Sequence, residues 1–180
     1  AGNIQWQRCL GGSDWDEAYS VQQTTDGGFI VAGHTYSNNG DVSGYHGKGD
    51  AWVVKLSPAG NVEWQRCLGG SGFELAKSVQ QTTDGGFIVA GWTKSNDGDV
   101  SGKHISVNHG VEEIDAWVVK LSPAGNIQWQ RCLGGSDWDE ANSVEQTTDG
   151  GFIVAGYTKS NNGDVSGNHN GGDSWVVKIK

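Results

Sequence analysis

The sequence predicts an all-β chain made of three copies of one repeat, and three observations carry that prediction. The strings GNIQWQRCLGG from Gly2, GNVEWQRCLGG from Gly60 and GNIQWQRCLGG from Gly125 recur in step with SVQQTTDGGFIVAG at Ser20 and Ser78 and SVEQTTDGGFIVAG at Ser143. Asp-Gly-Gly and Ser-Pro-Ala-Gly turn signals separate short β-prone runs. No stretch carries apolar residues at helical spacing over two turns, because glycine, at 30 residues, interrupts each one. Residues 1–180 are therefore one repeat array with units at about 2–59, 60–124 and 125–180, the second lengthened by an insertion around Ile105 to Glu113.

Each unit predicts four strands. The polar run Ser20 to Thr25 and the apolar run Phe29 to Ala32 flank Asp26-Gly27-Gly28 and form a hairpin. Trp52 to Leu56, the turn Ser57-Pro58-Ala59-Gly60 and Val62 to Leu68 form a second hairpin, and Ile4 to Leu10 is the counterpart of that last strand. Phe29–Ala32 and Trp52–Val54 are apolar on both faces, which places them centrally, covered by neighbouring sheets. Ile4-Gln5-Trp6-Gln7 alternates, as an outer strand with one wet face does. Ser20–Thr25, with its Gln and Thr side chains, suits the lining of a wet channel.

Four-stranded antiparallel sheets stacked face to face and repeated in series describe a β-propeller with three blades per chain. Trp6 and Trp52, with their counterparts, are the expected plugs between blades. The chain opens on the fourth strand of a blade and closes on the third, so strand 4–10 is expected to complete a blade whose other three strands come from 143–180 of the same or another chain. Propellers have four blades or more, so two chains exchanging these strands would complete a six-bladed ring, whereas a contact that fails to close would grow a filament.

Composition narrows the partners. The net charge is −9 with no block of Lys or Arg, which argues against nucleic acid, and no apolar run approaches the length of a membrane helix. Cys9, Cys67 and Cys132 occupy the same place in each repeat, so pairing within the chain is not expected. They read as small buried hydrophobes, or as an inter-chain link if they lie on an outer edge.

The pattern W-Q-x-x-L-G-G-S, then S-V-x-Q-T-x-D-G-G-F-I-V-A-G-x-T, S-N-x-G-D-V-S-G-x-H and D-x-W-V-V-K resembles the tandem β-propeller-type repeats of bacterial secreted and surface proteins, especially those of Bacteroidetes. All three copies match, so the resemblance covers essentially the whole chain. It implies an extracellular or cell-surface repeat scaffold and brings no catalytic residues. The near-identity of the copies is also what recent duplication, or deliberate design of a symmetric propeller, produces.

Two places hold candidate binding residues. The long polar loop between the second and third strands presents Asn39, Asp41 and Asp50, matched by Asp97, Asp99 and Asp115 and by Asn162, Asp164 and Asp173. Such oxygens around glycines suit Ca²⁺, or else tight turns whose side chains bond the loop backbone. Each loop also carries a histidine, His46, His104 and His169, and the insertion adds His109; these read as hydrogen-bonding loop residues. The loop after Gly11-Gly12 holds Trp15 and Asp16, matched by Phe73 and Glu74 and by Trp138 and Asp139. An aromatic ring beside a carboxylate suits sugar binding, or else packing at the rim between blades. No nucleophile with a base, no phosphate loop opening a helix and no unique carboxylate pair is present, so no enzyme is expected. The expected function is a non-enzymatic scaffold that self-associates, and the alternative is a multivalent glycan-binding propeller, with or without calcium.

Overall fold

A computed structural model describes residues 1–105 and 113–180. Among them are eleven strands and no helix: β1 (Asp16–Gln23), β2 (Phe29–Thr35), β3 (Asp50–Leu56), β4 (Val62–Leu68), β5 (Glu74–Gln81), β6 (Phe87–Thr93), β7 (Asp115–Leu121), β8 (Ile127–Leu133), β9 (Asp139–Gln146), β10 (Phe152–Thr158) and β11 (Asp173–Ile179). They form three antiparallel sheets in the orders β1-β2-β3-β4, β5-β6-β7-β8 and β9-β10-β11, and none closes into a barrel. The two apolar strands of each full sheet are central, as their composition requires. Part of the insertion, including His109, lies outside the described residues.

Local chemistry fixes each hairpin. At the first, Asp26 Oδ1 accepts the Gly28 N–H at 2.9 Å, the Gly27 N–H reaches the Thr24 carbonyl at 2.9 Å, and Gly27 takes φ 81°, a conformation that a side chain resists. A bulge between Ala18 and Ser20 recurs between Ala76 and Ser78, which lengthens β1 and β5 back to the acidic residues Asp16 and Glu74. The hairpin therefore begins four residues before Ser20, where the polar run was expected to start.

The sheets stack face to face. The back of the first sheet, through Ile30, Ala32, Ala51 and Val53, packs on Val79, Phe87, Val89 and Trp117 of the second. The back of the second, through Ile88, Ala90, Ala116 and Val118, packs on Val144, Phe152 and Val154 of the third. Polar clamps run along the first strands: the Val79 N–H donates to Ser20 Oγ and the Gln81 N–H to Gln22 Oε1, and the Val144 and Gln146 N–H groups repeat both bonds with Ser78 and Gln80. Trp52 and Trp117 are buried, with each indole N–H donating to a Gln side chain at 2.8 Å.

Within the single chain residues 4–10 form no strand, so they do not complete a sheet with 143–180 of the same chain. Among the described residues no strand lies beside them to complete a ladder, and β11 has no strand partner on its outer side.

Candidate functional site

The acids of the candidate loops turn inward. Asp16 accepts the Gly12 N–H at 2.8 Å and the Ser37 hydroxyl at 2.9 Å, as well as the Thr35 hydroxyl. Asp139 repeats the set with Gly135 N–H, Ser160 and Thr158, and Glu74 holds Gly70 N–H and Thr93. Glu74 and Asp139 are fully buried. These three carboxylates fasten the loop before each sheet to the loop after its second strand, and their oxygens are occupied. The aromatic partners point elsewhere: Trp15 and Trp138 are exposed and Phe73 is half-buried.

The long loops also turn their oxygens onto the protein, although Asp50 Oδ1 and Asp115 Oδ1 are buried without a hydrogen-bond partner. Asn39, Asp97 and Asn162 accept the N–H of Ser13, Ser71 and Ser136, and Asp41 and Asp99 accept those of Gly11 and Gly69 at 3.2 Å. Asp164 lies 3.4 Å from the Gly134 nitrogen and pairs with Arg131. Asp50, Asp115 and Asp173 each face the backbone N–H and ring Nδ1 of the loop histidine, His46, His104 or His169. Burial pushes the Asp50 carboxyl up and that of Asp115 up to about 6, whereas Asp173, hydrogen-bonded to the backbone and ring of His169 in a sheet covered on one face only, is held below the ordinary range. Among the described residues no three His, Cys, Asp or Glu side chains gather into a group that would hold a metal ion.

Two features stand out from the repeat. The first is a cleft of about 570 Å³ between the first and second sheets, lined by Trp15, Glu17, Tyr19, His34 and Tyr36 on one side and Phe73 and Trp92 on the other. The His34 ring stacks on Tyr19 at 5.8 Å, Tyr36 meets it edge-on at 5.1 Å, and Phe73 lies 6.0 Å beyond Tyr36. The Tyr19 hydroxyl donates to Glu17 at 2.9 Å. His34 is buried with Nδ1 unpartnered, and burial lowers its pKa, so the ring is neutral at pH 7. Of these residues the sequence reading had singled out only Trp15 and Phe73. A signal for the others was there, because each occupies a position at which at least one copy departs, and at Tyr19 and at the His34–Trp92 position all three differ.

The second feature is a pair of open ends. Val53 and Val118 are 0 % exposed, yet their counterpart Val176 on β11 is 64 % exposed; Val79 and Val144 are 5 % exposed, yet Val21 on β1 is 67 % exposed. The front of the first sheet forms an apolar groove of about 430 Å³ lined by Val21, Phe29, Val31, Trp52 and Val54, with residues 6–10 along its rim. Trp6 meets Phe29 at 5.6 Å, the same distance as Trp64 to Phe87 and Trp129 to Phe152. Residues 4–10 therefore hold the place of the fourth strand of a preceding sheet. Gly60 and Gly125 mark the equivalence: a Cβ on Gly60 would lie 2.8 Å from the Trp6 ring and one on Gly125 2.9 Å from the Trp64 ring. Cys67 and Cys132 are buried, with thiols pushed up to about 12, while Cys9 is exposed.

No protein-family model matches the chain. The regulatory protein FlaEY of Caulobacter vibrioides is 28% identical over 141 residues, which are 78% of this chain and 14% of that protein. The chain thus spans a small part of the length of the relative it matches.

Proposed function

We propose that this chain is a non-enzymatic, extracellular assembly scaffold of β-propeller blades, in which two copies join through their open ends into a six-bladed ring. The observation that carries the reading is the mismatch between Val176 and Val21, largely exposed, and their counterparts in the internal interfaces, which are buried. The back of the third sheet offers Ile153, Ala155 and Val176, the same residue types that cover the second sheet from the first. The front of the first sheet offers the surface that such a face covers elsewhere. Hydrophobic burial and unpaired strand edges both drive the two ends together.

The repeat also supplies the register. Trp52 pairs with Cys67, Val53 with Arg66, Val54 with Gln65 and Lys55 with Trp64. By the same offsets, Trp175 pairs with Cys9, Val176 with Arg8, Val177 with Gln7 and Lys178 with Trp6 of the second copy. Gln7 then accepts the Trp175 indole N–H, as Gln65 and Gln130 do for Trp52 and Trp117. A two-fold arrangement uses both ends of both chains and leaves no edge open. The location outside the cell rests on the resemblance of the repeats to secreted ones.

Light scattering after size exclusion tests the reading. Twice the 19.1-kDa chain mass is the expected result. A compact monomer at micromolar concentration overturns it, and very large species replace the ring by a filament.

A further inference from the structure

We infer that the cleft between the first and second sheets is a glycan-binding site that takes one neutral pyranose of a carbohydrate chain. The cleft lies within a single chain, so the inference stands apart from assembly through the open ends.

The first argument comes from the repeats themselves. They agree through the turns, the central strands and the Trp-Gln-Arg-Cys-Leu-Gly-Gly strings, so most of each copy serves the common fold. The residues lining the cleft include those at which the copies differ most: Tyr19 against Lys77 and Asn142, His34 against Trp92 and Tyr157, and Tyr36 against Lys94 and Lys159, whereas Trp15 and Glu17 recur as Trp138 and Glu140 and depart only from Phe73 and Leu75 of the second copy. Packing alone does not demand this, since the same junction between the second and third sheets is built from a different set. There Lys77 pairs with Glu140 and bonds Asn142 at 2.8 Å, and the Trp138 indole donates to Glu140 at 2.8 Å, so that junction is tied off internally.

The second argument is chemical. A pyranose presents a C–H face that stacks on an aromatic ring and a rim of hydroxyls that both donate and accept. Trp15, 69 % exposed at the mouth, is the free platform. Glu17 supplies acceptors, and the unpartnered Nδ1 of buried His34 is a polar atom with no bond to make inside the protein. Tyr19 and Tyr36 flank it with hydroxyls and apolar faces. At about 570 Å³ the cleft falls within the range of small-ligand sites. An organic cation fits less well: the Lys94 ammonium already lies 5.6 Å from the centroid of the Phe73 ring, and His34 and Tyr36 are turned on one another rather than around a common centre.

Saturation-transfer difference NMR tests the assignment, with galactose, glucose, mannose and N-acetylglucosamine as sugar probes and tetramethylammonium as the cationic one. At least one sugar should saturate with a dissociation constant of order ~1 mM, the range for so small a ligand. Trp15→Ala, at an exposed loop position, should weaken it at least ~10-fold with the melting temperature unchanged, and Glu17→Gln should weaken it less. Val176→Asp, at the far end of the chain, should leave it unaltered whatever that variant does to assembly. The inference is overturned if no sugar saturates, if Trp15→Ala binds as the parent does, or if tetramethylammonium alone saturates in a Trp15-dependent way.

Discussion

Replacing Val176 by Asp separates assembly from folding more sharply than any other single change. In the isolated chain Val176 is 64 % exposed on the outer face of β11, so the substitution should alter stability by no more than about 0.5 kcal/mol. In the assembled ring it takes the place that Val53 and Val118 hold at 0 % exposure. Loss of a buried Val side chain costs about 2 kcal/mol, and confining a carboxyl group without a partner adds at least about as much again. A closed dimer has two such seams, so the penalty is about 8 kcal/mol and the dissociation constant rises by ~10⁵-fold or more. Sedimentation across a dilution series reads that shift directly, and Val176→Ala should fall between the variant and the parent. At a concentration where the parent runs at twice the chain mass, Val176→Asp should run as a single chain. Retention of the dimer by Val176→Asp with an unchanged dissociation constant would refute the seam.

Alkylation by iodoacetamide, followed by peptide mass spectrometry, should modify Cys9 quickly in dilute or Val176→Asp protein and slowly in the assembled form, while the buried Cys67 and Cys132 stay protected in both; equal Cys9 rates in the two forms count against strand pairing. Asp139→Ala strands the Gly135 N–H and the Ser160 and Thr158 hydroxyls at a fully buried position and should cost about 3 kcal/mol, a fall in Tm of roughly 10 °C by thermal denaturation. Asp173 supplies a pH dependence. Its carboxyl is held below the ordinary range in the free chain, whereas the covered Asp115 is raised to about 6. Covering Asp173 raises its affinity for a proton, so the assembled form binds more protons, and association should strengthen as pH falls from about 7 toward about 5. Asp173→Asn should flatten the dependence, as measured by dissociation constants at the two pH values.

Much of the fold was legible because its determinants are local. Asp26-Gly27-Gly28 and Ser57-Pro58-Ala59-Gly60 specify their turns whatever surrounds them, and Phe29–Ala32 is too apolar on both faces to lie at an edge. Residues 4–10 form no strand within the single chain for a physical reason: they match β4 and β8, but a strand exists only as half of a ladder, and among the described residues no strand of the same chain pairs with them. Its position against Phe29 survives even so, because the Trp6 contact depends on the sheet beside it rather than on a hydrogen-bonded partner. The acids beside Trp15, Phe73 and Trp138 misled in a similar way. A carboxylate next to an aromatic ring looks like a ligand pair along the chain, but the acid is the first residue of its strand and turns in to bond the neighbouring loops, while the ring before it is left exposed or half-buried.

The cleft was hidden for a different reason. Its walls come from two repeats, and no window along one repeat holds Trp15, His34 and Phe73 together. The alignment of the copies against each other does mark it. Near-identical repeats share their folding requirements, so a shared requirement cannot explain a difference between them. Differences scattered over the surface would be drift, whereas differences that converge on one concavity from both sides of a sheet junction call for a cause acting at that concavity. At the junction of the second and third sheets the altered residues satisfy one another through the Lys77 to Glu140 pair. At the junction of the first and second they leave a buried His34 nitrogen without a partner and a Trp15 ring in solvent. A charged pair crosses one junction, and at the other the equivalent positions are Tyr19 and Leu75, which cannot form one. That asymmetry within a repeating frame is why binding is sought at one cleft per chain and not at three equivalent ones.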